Sequence, residues 1–171
     1  MRYIDFDGVI VDTEGLLFEE WRKNPDRHSY TEKRKIKYIQ KADWKHIVED
    51  SPVLNDAIYI LKNIDPNTSA ILTKVHSLDN EAHAKIIFLR DKGVKQEVIV
   101  VPYTLKKTQV VHPEGNILVD DSVRNLREWA SEGGYPMFYD KNHTNVDDWG
   151  TYNIDGYQKV YRIDEKISKD V

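Results

Sequence analysis

The chain has 171 residues, 25 Lys plus Arg against 29 Asp plus Glu, and a formal net charge of −4. That length suits one compact domain with room for a small insertion. The near-balanced charge gives no global field to attract nucleic acid or an anionic membrane. The apolar fraction is 40%, but 4 Trp, 10 Tyr and 4 Phe supply large surfaces to bury, so a packed core is expected rather than disorder. The absence of cysteine rules out disulfides, thiolate zinc sites and a cysteine nucleophile, and it fits a cytoplasmic protein. No apolar run approaches the roughly 20 residues of a membrane span. Carboxylates at Asp5 and Asp7 argue against a secretory leader.

Arg2 to Asp5 reads as a short buried strand that ends in acidic residues and Gly8. Residues 15–40 carry a helical pattern, with Leu17 and Trp21 on one face, and Asn24-Pro25-Asp26 breaks it into pieces. Trp44, Ile47 and Val48 suggest another short helix. Ser51 and Pro52 then read as the N-cap and first position of a helix with Leu54, Ala57, Ile58 and Leu61 on one face. After the turn signal Asp65-Pro66-Asn67, Ser69 to Thr73 forms a second buried strand. A helix over 79–92 stops at Gly93, a good C-cap residue. Glu97 to Val101 is a third strand, and Asn116 to Val119 is a fourth that runs directly into Asp120-Asp121. Ser122 caps a helix bearing Val123, Leu126 and Ala130, which closes at Gly133-Gly134. Met137 to Tyr139 is a fifth strand, and Lys159 to Ile163 is an added edge strand or helix.

Strands alternating with helices imply an α/β fold, a three-layer Rossmann-like parallel sheet flanked by helices. Several helices interrupt this rhythm after the first strand. They are expected to form a small helical cap over residues 14–66, inserted into a core domain of residues 1–13 and 67–171. The plainer alternative is a long decorated crossover.

Parallel sheets of this kind bind ligands at the carboxyl ends of their strands. Strand one delivers Asp5 and Asp7 there, strand two Thr73 and Lys74, and strand four Asp120 and Asp121. Carboxylates crowded into a cleft need a cation, and oxygen-only ligands favour Mg²⁺. By themselves, Asp120 and Asp121 could equally be helix-capping residues favoured by the dipole.

The run Asp5-Phe6-Asp7-Gly8-Val9-Ile10-Val11-Asp12-Thr13 resembles the first motif of the haloacid dehalogenase superfamily of phosphatases and phosphotransferases. Ile71-Leu72-Thr73 is similar to its second motif, and Ile117-Leu118-Val119-Asp120-Asp121 to its fourth in the double-aspartate form. For the third-motif lysine, Lys106 and Lys107 are both available, and Lys107-Thr108 fits better. The double aspartate, the modest cap and Trp129 before Gly133-Gly134 resemble the cytosolic 5′(3′)-deoxyribonucleotidases and their bacterial and phage relatives.

The resemblance implies an HAD-like fold and a Mg²⁺-dependent phosphomonoesterase. Asp5 would be the nucleophile that forms an aspartyl-phosphate, and Asp7 the general acid and base. Mg²⁺ would be held by Asp5, the backbone carbonyl of Asp7, and Asp120 or Asp121. Thr73 and Lys107 would bind the phosphoryl oxygens, with Lys74 a further candidate for phosphate. A dehalogenase would need neither Asp7 nor the second acidic pair, so phosphoryl transfer is the expected chemistry.

Specificity is expected from the cap, where Phe18, Trp21, Tyr30, Tyr38 and Trp44 offer faces on which a nucleobase could stack, although each could simply fill the cap's own small core. The basic run Lys33-Arg34-Lys35-Ile36-Lys37 could meet an anionic substrate, or it could be a solvated helix face. The implied partner is therefore a small phosphate monoester, nucleotide-like. The competing expectations are a sugar-phosphate phosphatase, a phosphatase of polynucleotide ends, and a non-catalytic binding module that keeps the fold.

Overall fold

A computed structural model describes residues 1–25, 31–142 and 155–168. Among the described residues, six parallel strands form one sheet in the order β3-β2-β1-β4-β5-β6. They are β1 (Arg2–Ile4), β2 (Ser69–Val75), β3 (Glu97–Pro102), β4 (Ile117–Asp120), β5 (Tyr135–Tyr139) and β6 (Gln158–Val160). Of the two forms expected near residue 160, the edge strand is the one adopted. The helices are α1 (Thr13–Lys23), α2 (Glu32–Lys41), α3 (Trp44–Asp50), α4 (Ala57–Asn63), α5 (His83–Asp91) and α6 (Val123–Ser131).

β1 lies between β2 and β4, so the order reverses on either side of it. Ile4 pairs with Ile71 on one flank and Val119 on the other. This register brings the ends of β1 and β4 level, and Asp5 continues the ladder by donating its N–H to the Val119 carbonyl at 3.0 Å. Open α/β sheets bind ligands at such a reversal.

Two apolar clusters hold the layers. Leu72, Leu118, Leu126 and Trp129 pack on one side. On the other, Ile4, Phe6, Ile71 and Leu89 join Ile39, Trp44, Ile47, Val48, Ile60 and Leu61 from the helices that precede β2. The helices between β1 and β2 therefore share one continuous core with the sheet. α3 packs against α5, the crossover helix between β2 and β3.

One expected boundary is wrong. Ser51-Pro52 does not start a helix: α3 ends at Asp50, and α4 begins only at Ala57. The Pro52 carbonyl accepts from the Asp12 N–H at 3.0 Å, and Val53 forms an antiparallel bridge with Val11. These long-range bonds occupy the groups a first helical turn would have used. The helix expected over 79–92 also starts late: residues 79–82 belong to a wider π-type turn, Leu78–Ala82, and α5 begins only at His83.

Candidate active site

After β1 the chain folds sharply back on itself. Ile10 and Val11 both donate to the Phe6 carbonyl, at 2.9 and 3.1 Å, and Gly8 donates to Val11 at 2.8 Å. Phe6, Val9, Ile10 and Val11 have no exposed surface, so the loop carrying Asp5 and Asp7 is anchored by apolar burial. Gly8 sits at φ +73°, and a Cβ built there would fall inside the Asp121 carboxylate. The missing side chain is what lets Asp121 approach the β1 loop.

Lys107 is fully enclosed. Its Nζ lies 2.8 Å from Asp5 Oδ1 and 2.6 Å from Asp120 Oδ2, bridging the ends of β1 and β4. Burial opposes its charge, but Asp120 and Asp5 outweigh it and raise its pKa. Lys106, the alternative, is exposed and reaches Glu128 at 3.9 Å. Asp120 also accepts from the Ser122 N–H at 2.8 Å and Asn125 Nδ2 at 3.0 Å. Its oxygens are thus largely consumed by protein donors.

One oxygen from each of Asp5, Asp120 and Asp121 lies within 4.8 Å of the other two, the spacing of a cation site. Burial, then Asp120 and Asp7, push the Asp5 carboxyl up to about 7 against the pull of Lys107. Partial desolvation in the cleft, then repulsion from Asp120, Asp5 and Asp7, push Asp121 up to about 8. Two carboxyls that resist ionising beside one another are what a divalent ion would relieve. The donor set is oxygen only, so these residues fit Mg²⁺.

Asp7 opens into the same cleft and is held at both oxygens. Thr13 Oγ1 donates to Oδ1 at 2.7 Å, and Lys85 Nζ donates to Oδ2 at 2.5 Å. Thr73 is wholly buried: its hydroxyl accepts from Lys85 at 3.2 Å and donates to the Lys74 carbonyl at 3.4 Å. Lys74, whose neighbours along β2 face the opposite side of the sheet, and His76, just past the strand, line the cleft wall.

The cleft is a cavity of about 420 Å³, walled by Asp5, Asp7 and Asp121 at one end and by residues of α1 to α3 at the other. Phe18, Trp21, Tyr38 and Trp44 all line it. They differ in freedom. Phe18 is exposed, whereas Trp44 is buried and donates its Nε1 proton to the Ile39 carbonyl at 2.8 Å. Trp21 and Tyr38 meet edge to face with centroids 4.8 Å apart. Lys35 also lines the cleft, while Lys33, Arg34 and Lys37 are solvated. Tyr30 lies outside the described residues.

Sequence reasoning missed Lys85, Glu81 and Asn125. Lys85 and Glu81 stand four residues apart, a spacing that pairs opposite charges on a helix face, but such pairs are ordinary on exposed helices. Their burial was the missing signal.

No family model matches the chain, and no curated protein matches it. Solved structures do. A HAD hydrolase of family IA, variant 3, from Entamoeba histolytica superposes with a TM-score of 0.67 over 99% of this chain and 95% of its own, at 13% identity. The fold is that of the haloacid dehalogenase hydrolases. A putative HAD hydrolase from Bacillus subtilis bound to magnesium matches at a TM-score of 0.54 and 15% identity, covering 86% of this chain and 90% of its own. The D,D-heptose 1,7-bisphosphate phosphatase of Burkholderia thailandensis also has this fold, at 0.54 and 13%, with 95% and 92% covered. Among the described residues of this HAD-fold chain, no helix is long and apolar enough to cross a membrane.

Proposed function

We propose that the protein is a Mg²⁺-dependent phosphomonoester hydrolase that works through an aspartyl-phosphate on Asp5. The observation that carries this reading is the buried Lys107 bridge between Asp5 and Asp120, with an Asp121 oxygen within reach of both carboxylates. Such a cluster serves no packing purpose, and apolar residues would fill the same space at lower cost.

Asp5 attacks the phosphorus in line; an Asp5 oxygen–phosphorus bond forms as the bond to the leaving oxygen breaks. Asp7, in its protonated form, gives its proton to that oxygen, and the alcohol departs. The Asp7 carboxylate then takes a proton from water, whose oxygen displaces Asp5 and releases inorganic phosphate. Lys107 holds Asp5 in place and offsets the crowded negative charge, while Lys74 faces the phosphoryl group from the cleft wall. An ion held by Asp5, Asp121 and the Asp7 carbonyl would neutralise charge on the phosphoryl oxygens. Asp120, already bonded to Lys107 and Asn125, acts as the anchor of the lysine.

The reading extends to substrate. A cavity of about 420 Å³ with Phe18, Trp21, Tyr38 and Trp44 on its walls suits a nucleoside monophosphate, the base lying against an aromatic face. Aromatic stacking of this kind contributes about 1–3 kcal/mol per base. A panel of nucleoside monophosphates, sugar phosphates and a 5′-phosphorylated oligonucleotide, assayed for phosphate release with and without Mg²⁺, tests it. Release from nucleotides that depends on Mg²⁺ is expected. Turnover of sugar phosphates alone would replace the substrate and keep the chemistry, and no release from any ester would defeat both.

A further inference from the structure

Lys85 lies on the first turn of α5 and has no exposed surface. An ammonium placed there without partners would be strongly destabilising. Its Nζ instead meets four acceptors: Asp7 Oδ2 at 2.5 Å, Glu81 Oε1 at 2.7 Å, Thr73 Oγ1 at 3.2 Å and the Lys74 carbonyl at 3.3 Å. The rings of Trp44 and Phe6 flank it at 5.1 and 5.4 Å. Glu81 is itself fixed, with Oε2 accepting the His76 N–H at 2.7 Å. Two of the four acceptors, Asp7 on the loop after β1 and Thr73 within β2, come from separate segments, so the lysine ties together groups that no local turn holds in register.

Stability does not explain this arrangement, since a buried ion pair is commonly no better than an apolar replacement of the same volume. Orientation does. Thr13 fixes one Asp7 oxygen and Lys85 the other, so the carboxylate has one orientation toward the cleft and still has lone pairs free for a substrate. We propose that Lys85, braced by Glu81, is a positioning residue that aims Asp7 at the leaving group and at the attacking water. The proposal rests on the phosphomonoesterase reading and concerns a residue that touches no substrate itself.

The test compares two esters of similar size, p-nitrophenyl phosphate and benzyl phosphate. Nitrophenolate departs without a proton, whereas benzyl alcohol needs one from Asp7. Lys85→Met alone would strand Glu81, so the double variant Lys85→Met/Glu81→Gln removes both charges together. Its kcat/KM is expected to fall about 10²-fold on benzyl phosphate, at the lower end of general acid catalysis, and to stay within about threefold on p-nitrophenyl phosphate. Because Asp7 also activates the water, kcat on p-nitrophenyl phosphate should drop and a burst of nitrophenol should appear. A merely structural role lowers both kcat/KM values alike and gives no burst; that result, or unchanged kinetics on both esters, overturns the proposal. Inactivity of the unsubstituted protein on every ester would instead overturn the phosphatase reading, and this one with it.

Discussion

At Gly8, backbone and metal chemistry meet in a single residue. Its positive φ and the space its missing side chain leaves for Asp121 make two separate demands. Gly8→Ala meets neither: the left-handed backbone costs an alanine about 1–2 kcal/mol, and the new methyl displaces the Asp121 carboxylate. A thermal melt should show that loss, and a Mg²⁺ titration should show affinity weakened at least about tenfold. Native-like Mg²⁺ affinity would remove Asp121 from the ligand set. The acidic tips of the strands were readable from sequence because each follows a buried apolar run. Lys85 and Glu81 were not, since a lysine four residues after a glutamate looks like a solvated helix pair until both are found without solvent. Thr73, read as the last residue of its strand, lies two residues before the end of β2; its hydroxyl serves Lys85, and Lys74 beside it faces the cleft.

Helix α3 shows how the elements between β1 and β2 are secured. Trp44, Ile47 and Val48 are buried in the cluster that also holds Ile4, Phe6 and Leu89, so this helix packs on the sheet layer instead of enclosing a core of its own. Ile47→Ala should therefore cost about 2–5 kcal/mol, the range for emptying a packed site. Denaturant unfolding followed by tryptophan fluorescence and by far-UV circular dichroism should remain one coincident transition. Separate transitions would mean that α1 to α3 unfold independently of the sheet. β1 to β5 were legible as short apolar runs bounded by turn signals, whereas β6 (Gln158–Val160) is too polar and short to separate strand from helix. The end of α5 followed from Gly93 and both ends of α6 from Ser122 and Gly133. The Ser51-Pro52 start failed because capping chemistry is local, whereas the Asp12–Pro52 bond and the Val11–Val53 bridge join segments about 40 residues apart, beyond the reach of any local pattern.

Over the whole molecule, the acidic cluster ties stability to pH and to metal. Asp5 and Asp121 titrate at about 7 and about 8 in the folded chain, against about 4 when unfolded. Between those limits the native state holds more protons than the unfolded one, so their contribution is fully present below about pH 4 and is lost as pH rises through 7 to 8. Metal-free protein should thus melt at a lower temperature at pH 8 than at pH 6. Mg²⁺ competes with those protons, so its stabilising effect should grow over the same interval. A metal-free melting temperature that rises from pH 6 to 8 would contradict these assignments. The claim beneath all of this is that a phosphoryl group passes through Asp5. Protein mixed with Mg²⁺ and a phosphate-labelled nucleoside monophosphate, acid-quenched within one turnover and digested, should carry the label on the N-terminal peptide, at Asp5, and lose it on treatment with hydroxylamine. Label on any other residue, or rapid turnover with no labelled protein, would contradict it.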